Sequence, residues 1–202
     1  MRLPLLAAGL TALPLLAACD PATPSAEAPA TQATAAVAAA PAAPVRSAVG
    51  ATARASLVNS EGAAAGTAVL RQGSTGIVIR VEATGLTPGW HGLHLHAVGQ
   101  CQTPFESAGA HIQHGGQKVP HGYLNVQGPD SGDLPNLYVG ADGRGFAEVF
   151  TTAAGLNQGG PGEHLLDADG SSILIHANAD DHSTQPIGGA GDRVLCGVIA
   201  AG

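Results

Sequence analysis

Gly76-Ile77-Val78-Ile79-Arg80-Val81-Glu82 carries the two-residue period of a strand. Successive side chains of an extended chain point to opposite sides, so Ile77, Ile79 and Val81 share one face while Arg80 and Glu82 take the other. Three further stretches have the same extended character: Gly145-Phe146-Ala147-Glu148-Val149-Phe150-Thr151, Ser172-Ile173-Leu174-Ile175-His176, and Val194 to Ala200. Weaker strand candidates lie at 51–58, 66–71, 91–98 and 136–140. Glycine-rich turns separate them at Asn59 to Gly62, Gln72 to Gly76, Thr87-Pro88-Gly89, Ala141-Asp142-Gly143 and Asp167 to Gly170. Helical periodicity is hard to find. Many short strands with Gly and Asp turns predict an all-β antiparallel sandwich or barrel.

Two segments break the alternation. Ala97 to Leu134 is rich in Gly, Pro, His and Gln, and Ala177 to Asp192 carries Gly, Pro and Asp. A loop as long as the first is unusual in a compact domain unless it is functional or disordered. Nine histidines stand in a chain that is only 11% charged and 3% aromatic, and they crowd these regions. In Trp90-His91-Gly92-Leu93-His94-Leu95-His96, the strand period places His94 and His96 on one side, about 7 Å apart. Two imidazoles so placed suit one copper or zinc ion. His111, His121 and His176 follow downstream. His91, His164 and His182 are expected to be structural or exposed, and His114 to lie in an exposed loop.

The N-terminus has a different composition. Met1-Arg2 is followed by an apolar run from Leu3 to Ala18, too short to span a bilayer and shaped like a secretory signal. It ends in Leu16-Ala17-Ala18-Cys19, which resembles a bacterial lipoprotein cleavage box. Residues 1–19 are therefore expected to be a signal peptide, with Cys19 the lipidated first residue of the mature chain. Residues 20–49, almost all Ala, Pro, Thr and Ser, offer too little bulky apolar surface to offset ordering entropy and are expected to form a tether. Residues 50–202 form one domain, able to bury a core. The expected location is periplasmic, with membrane contact through the lipid anchor alone. Net charge is −7 and Lys118 is the only lysine, so a nucleic-acid partner is not expected. In an exported, oxidising compartment Cys101 and Cys196 read as a disulfide, the alternative being two free buried thiols.

The segments His91 to His96, Cys101, Ser107 to His111, His121-Gly122, Gly132 to Leu137, His176 to Asp181 and Gly191 to Ile199 together resemble the copper/zinc superoxide dismutases, in particular their exported bacterial branch. The resemblance covers about residues 50–202 and rests on the order and spacing of these segments. It implies an eight-stranded Greek-key β-sandwich or barrel with long metal-binding and electrostatic loops. It also implies an oxidoreductase that converts superoxide to oxygen and hydrogen peroxide by alternating Cu(II) and Cu(I). By resemblance, His94, His96, His111 and His176 hold copper. His111 bridges to zinc, which His121 and Asp133 also hold. Asp180 links the two metal groups, Arg193 attracts the anionic substrate beside the copper, and Cys101–Cys196 is the family disulfide. Asp130 departs from the pattern, because the family has a histidine three residues before the zinc aspartate. Three outcomes stay open: Asp130 ligates zinc through oxygen, His114 swings in, or the chain is a copper-only dismutase. The alternatives to a dismutase are a non-enzymatic copper-binding module and a structural sandwich with vestigial histidines. Oligomeric state, including a homodimer, is not legible.

Overall fold

The computed structural model describes residues 49–156 and 158–202. The expected signal peptide, Cys19 and nearly all of the tether lie outside the described residues. The strands are β1 (Thr52–Val58), β2 (Ala64–Gln72), β3 (Ile77–Thr84), β4 (Gly89–His91), β5 (Leu93–His96), β6 (Leu137–Val139), β7 (Arg144–Thr151), β8 (Ala154–Gly155), β9 (Glu163–His164), β10 (Ser172–His176), β11 (Arg193–Val198) and β12 (Ala200–Ala201). A single 3₁₀ turn, Glu106–Ala108, is the helical element among the described residues.

The main sheet has ten strands in the order β4-β6-β7-β3-β2-β1-β11-β10-β5, with β12 pairing β1. Its two ends, β4 and β5, are separated in sequence only by Gly92. One run of chain therefore borders both edges, and the antiparallel sheet is nearly closed into a barrel. Counting β4 with β5 and β11 with β12, the ten segments are eight runs of chain, the number expected. The steps β3 to β4 and β7 to β10 pass over neighbours, as in a Greek key.

The core follows the alternation. In β3, Ile77, Ile79, Val81 and Ala83 are buried while Val78, Arg80, Glu82 and Thr84 face out. The interior is filled by small and aliphatic side chains, among them Leu57, Leu70, Leu93, Leu95, Leu137 and Ile173. The aromatic residues behave oppositely. Trp90, Tyr138, Phe146 and Phe150 lie exposed on the outer side, and Phe105 alone packs in a small satellite cluster with Ala108, Leu174 and Cys196.

Strand β5 places the site. Leu93 and Leu95 point into the barrel core. His94 and His96 alternate with them on the outer side, yet both are fully buried because the two long loops cover them. The first loop is tied to the barrel at isolated bridges between His96 and His111 and between His94 and Asp133. The second leaves β10 at His176 and re-enters at Arg193, which sit opposite each other after a register shift. A Cys101–Cys196 disulfide fastens the first loop to β11.

Candidate metal centre

His94, His96, His111 and His176 come together on the outer side of the barrel. One nitrogen from each lies within 4.8 Å of the others. The four converging atoms, His94 Nδ1, His96 Nε2, His111 Nε2 and His176 Nε2, are buried and have no hydrogen-bond partner. Each ring's second nitrogen is engaged. His94 Nε2 lies 3.0 Å from Asp180 Oδ2, and His96 Nδ1 2.9 Å from the Gly109 carbonyl. His111 Nδ1 lies 3.0 Å from Asp130 Oδ2, and His176 Nδ1 3.0 Å from the Gly191 carbonyl. Those acceptors hold the N–H on the outer nitrogen, so each ring turns a lone pair inward. An unsatisfied buried polar atom costs about 1–3 kcal/mol. Four in one place fit a cation that accepts nitrogen donors, as copper does.

A second group shares His111. His111, His121, Asp130 and Asp133 also bring one donor each within 4.8 Å. Asp133 spends Oδ2 on the main-chain N–H groups of Gly122 and Asp130, at 2.8 and 3.0 Å. Its Oδ1 lies 2.5 Å from His121 Nδ1 but off hydrogen-bond alignment, and both atoms are buried without a partner. Asp130 accepts from the Gly132 N–H through Oδ1 and turns Oδ2 toward His111. Two imidazoles and two carboxylates are a donor set that zinc accepts. Asp130 thus sits within the group, at the position where the resemblance led one to expect histidine. His114 lies outside both groups, exposed, with Nδ1 2.9 Å from Ser131 Oγ.

Asp180 connects the two groups. Its Oδ2 accepts from His94 Nε2 and its Oδ1 from His121 Nε2, each at 3.0 Å. The His182 N–H also donates to Oδ1, at 2.6 Å. Asn136 grips the main chain of Asp180 on both sides, donating to its carbonyl at 2.8 Å and accepting from its N–H at 2.9 Å. Gly188 must lack a side chain, because a Cβ there would sit 1.6 Å from Asp180 Oδ1.

The electrostatics divide the same way. Burial pushes the His94 pKa down to about 3 and His176 to about 4, and pushes His96 well below its ordinary value. These rings are neutral, as a ligand must be. Burial is also the largest single influence on His111 and His121. It is outweighed in His111 by Asp130 and Asp133, which raise its pKa, and in His121 by Asp133 and Asp180, which raise it to about 10. Burial pushes the Asp180 carboxyl up, but the His121 and His94 bonds prevail and hold it far below the usual carboxylate range.

Arg193 donates to the Phe105 carbonyl at 2.6 Å and to the Gly109 carbonyl at 2.7 Å. The Gly109 oxygen is also the one that orients His96. His91 belongs to neither group. Its ring nitrogens lie 2.6 Å from the His176 carbonyl and 2.8 Å from that of Thr87, holding β4 against β10. Asn136, Gly188 and Gln185 act on the site from the loops, and reading along the sequence did not single them out for a role. Gly188 and Gln185 lie in a segment without alternation, and Asn136 opens a weak strand candidate, so none carries a local signal of its role.

The family model for copper/zinc superoxide dismutase (SODC) matches residues 64–199. A Cu-Zn superoxide dismutase of Caulobacter vibrioides is 50% identical over 149 residues, covering 73% of this chain and 85% of the relative. One of Aquifex aeolicus is 38% identical with the same two coverages. The crystal structure of a SOD-like protein from Bacillus subtilis superposes with a TM-score of 0.68 at 37% identity, over 73% of this chain and 97% of that one. With a nearly closed Greek-key barrel carrying two metal-suited groups that share one histidine, these likenesses place the chain in the copper/zinc superoxide dismutase family.

Proposed function

We propose that this protein dismutes superoxide, with His94, His96, His111 and His176 holding copper and His111, His121, Asp130 and Asp133 holding zinc. The observation that carries the reading is the set of four buried, unpartnered imidazole nitrogens around one point. When bound, copper would supply the redox chemistry by alternating between Cu(II) and Cu(I): one superoxide is oxidised to oxygen, and a second takes up an electron and two protons to become hydrogen peroxide. His111 turns Nε2 to the copper group and Nδ1 toward Asp130 and Asp133, so Nε2, when not holding copper, would carry one of the two protons the peroxide takes, the other coming from solvent. Asp180 keeps the His94 and His121 rings in register. Arg193 draws in the anionic substrate, and its two bonds to carbonyls hold the guanidinium in place.

The test is twofold. His176→Ala should abolish turnover while leaving a folded, disulfide-bonded domain, and full activity in that variant would refute the copper assignment. Metal analysis of the oxidised protein should find one copper and one zinc per chain. Copper without zinc would favour the copper-only form, in which the bond from His111 Nδ1 to Asp130 steadies the ring instead.

The remaining readings concern location and assembly. Leu16-Ala17-Ala18-Cys19 supports an exported, lipid-anchored protein, with residues 20–49 as tether and 50–202 as the enzyme domain in the periplasm. A disulfide accords with an oxidising compartment. Loss of fatty-acid labelling in Cys19→Ser would support the anchor, and unchanged labelling would refute it. Trp90, Tyr138 and Phe146 pair across β4, β6 and β7, and with Phe150 they stay 52–57% exposed on one outer face. An apolar patch of this kind supports a two-fold homodimer. Sedimentation of wild type as a dimer and of Phe146→Arg as a monomer would bear this out, and a monomeric wild type would exclude it.

A further inference from the structure

The four donors of the proposed zinc group are not equally anchored. His111 is bridged to His96, and Asp133 to His94, so both belong to the barrel wall. Asp130 is folded onto Asp133 by its N–H bond to Oδ2. His121 lies in the same loop, but its backbone forms no such bridge among the described residues. A side chain from the other loop takes the place of a strand partner. Gln185 Oε1 accepts from the His121 N–H at 3.0 Å, and Gln185 Nε2 donates to the His121 carbonyl at 2.8 Å. A third bond, from Nε2 to the Ser183 carbonyl at 3.1 Å, sets the orientation of the amide. The second loop thus grips His121 twice, at the main chain through Gln185 and at ring Nε2 through Asp180.

We propose that Gln185 is a positioning residue for the zinc group: by pairing with both main-chain groups of His121 it aims Nδ1 at the point shared with Asp130 and Asp133. The inference rests on the zinc assignment above. Gln185 touches neither the metal nor the substrate, and it is itself exposed. Its worth is that the loop is ordered before metal arrives, so binding does not have to order it. It also makes zinc affinity, and not copper affinity, depend on the second loop through His121.

The test compares wild type with Gln185→Met, which keeps length and loses both bonds, and with Gln185→Asn, too short to reach both groups. Zn(II) and Cu(II) affinities of the oxidised full chain are measured by chelator competition, and exchange of the His121 amide hydrogen is followed in the metal-free protein. Both variants should bind zinc about tenfold more weakly, at the lower end of the usual 10–100-fold cost of losing an outer contact. They should keep copper affinity within about twofold and exchange the His121 amide faster. Unchanged zinc affinity would overturn the proposal, as would equal losses for both metals, which mark general loosening. If wild type itself takes up no zinc, the zinc assignment fails first and the inference with it.

Discussion

Asp130 presents Oδ2 3.0 Å from Nδ1 of His111, filling with a carboxylate the place in which the family resemblance anticipates an imidazole. The His111 ring therefore has copper-suited geometry on one edge and a carboxylate pair on the other. On the proposed assignment, in which Asp130 is itself a donor, Asp130→Ala should weaken zinc by more than the 10–100-fold typical of outer contacts. Copper uptake should persist. Metal-to-protein ratios after dialysis against zinc buffers would check both.

Asp180 serves both groups with one carboxylate. Asp180→Asn keeps the shape but puts an N–H where one imidazole donates, so at least one ring must turn. Affinity for copper and zinc should fall together, by roughly 10–100-fold each. A loss confined to one metal would show that the link is not shared. Gly188→Ala should mimic the effect sterically, since its Cβ would strike Asp180 Oδ1.

The metal-free protein should be most stable close to pH 6.5. His94 titrates at about 3 and His176 at about 4 when folded, against an ordinary value near 6.5 when unfolded. As pH falls below 6.5 the unfolded chain takes up protons that the folded one refuses, so stability declines until pH 3–4. His121 has the opposite sign. Its folded pKa is about 10, so its contribution is complete below 6.5 and is lost as pH rises through 10. Melting temperatures of the metal-free protein across this range would show a maximum. A profile rising steadily to pH 9 would contradict the assignment.

Arg193 combines charge with anchoring. Arg193→Lys keeps the charge and loses the two-pronged grip on Phe105 and Gly109. Arg193→Ala loses both. The alanine variant should lower kcat/KM by about tenfold, at the low end of what steering supplies. It should also flatten the dependence of rate on ionic strength. The lysine variant should keep that dependence and fall in rate by less. Stopped-flow decay of superoxide at several salt concentrations distinguishes them.

The disulfide joins residues separated by 95 positions. Cys101→Ser should destabilise the domain by about 4–5 kcal/mol in the chain-entropy view. It should also weaken copper binding, because the loop it fastens carries the Gly109 carbonyl that orients His96. Urea unfolding with and without reductant measures the first effect and copper competition the second.

What the sequence determined by itself was local and periodic. The alternation in Ile77 to Glu82 marks a strand and its buried face without any neighbour, and β3 runs from Ile77 to Thr84 on that pattern. The His94-Leu95-His96 triplet alternates likewise, and two imidazoles share a side for the same geometric reason. The order and spacing of the family-like segments relate the distant histidines to one another, although no distance follows from them.

Tertiary structure alone decided what depends on loop paths. No periodicity runs through Ala97–Leu134 or Ala177–Asp192, so nothing local says that Gln185 meets His121, that Asn136 brackets Asp180, or that Asp130 rather than His114 reaches the second group. The placement of aromatics outside the barrel was equally hidden. Period two separates the two faces of β7, but which face turns inward is settled by the strands packed against it.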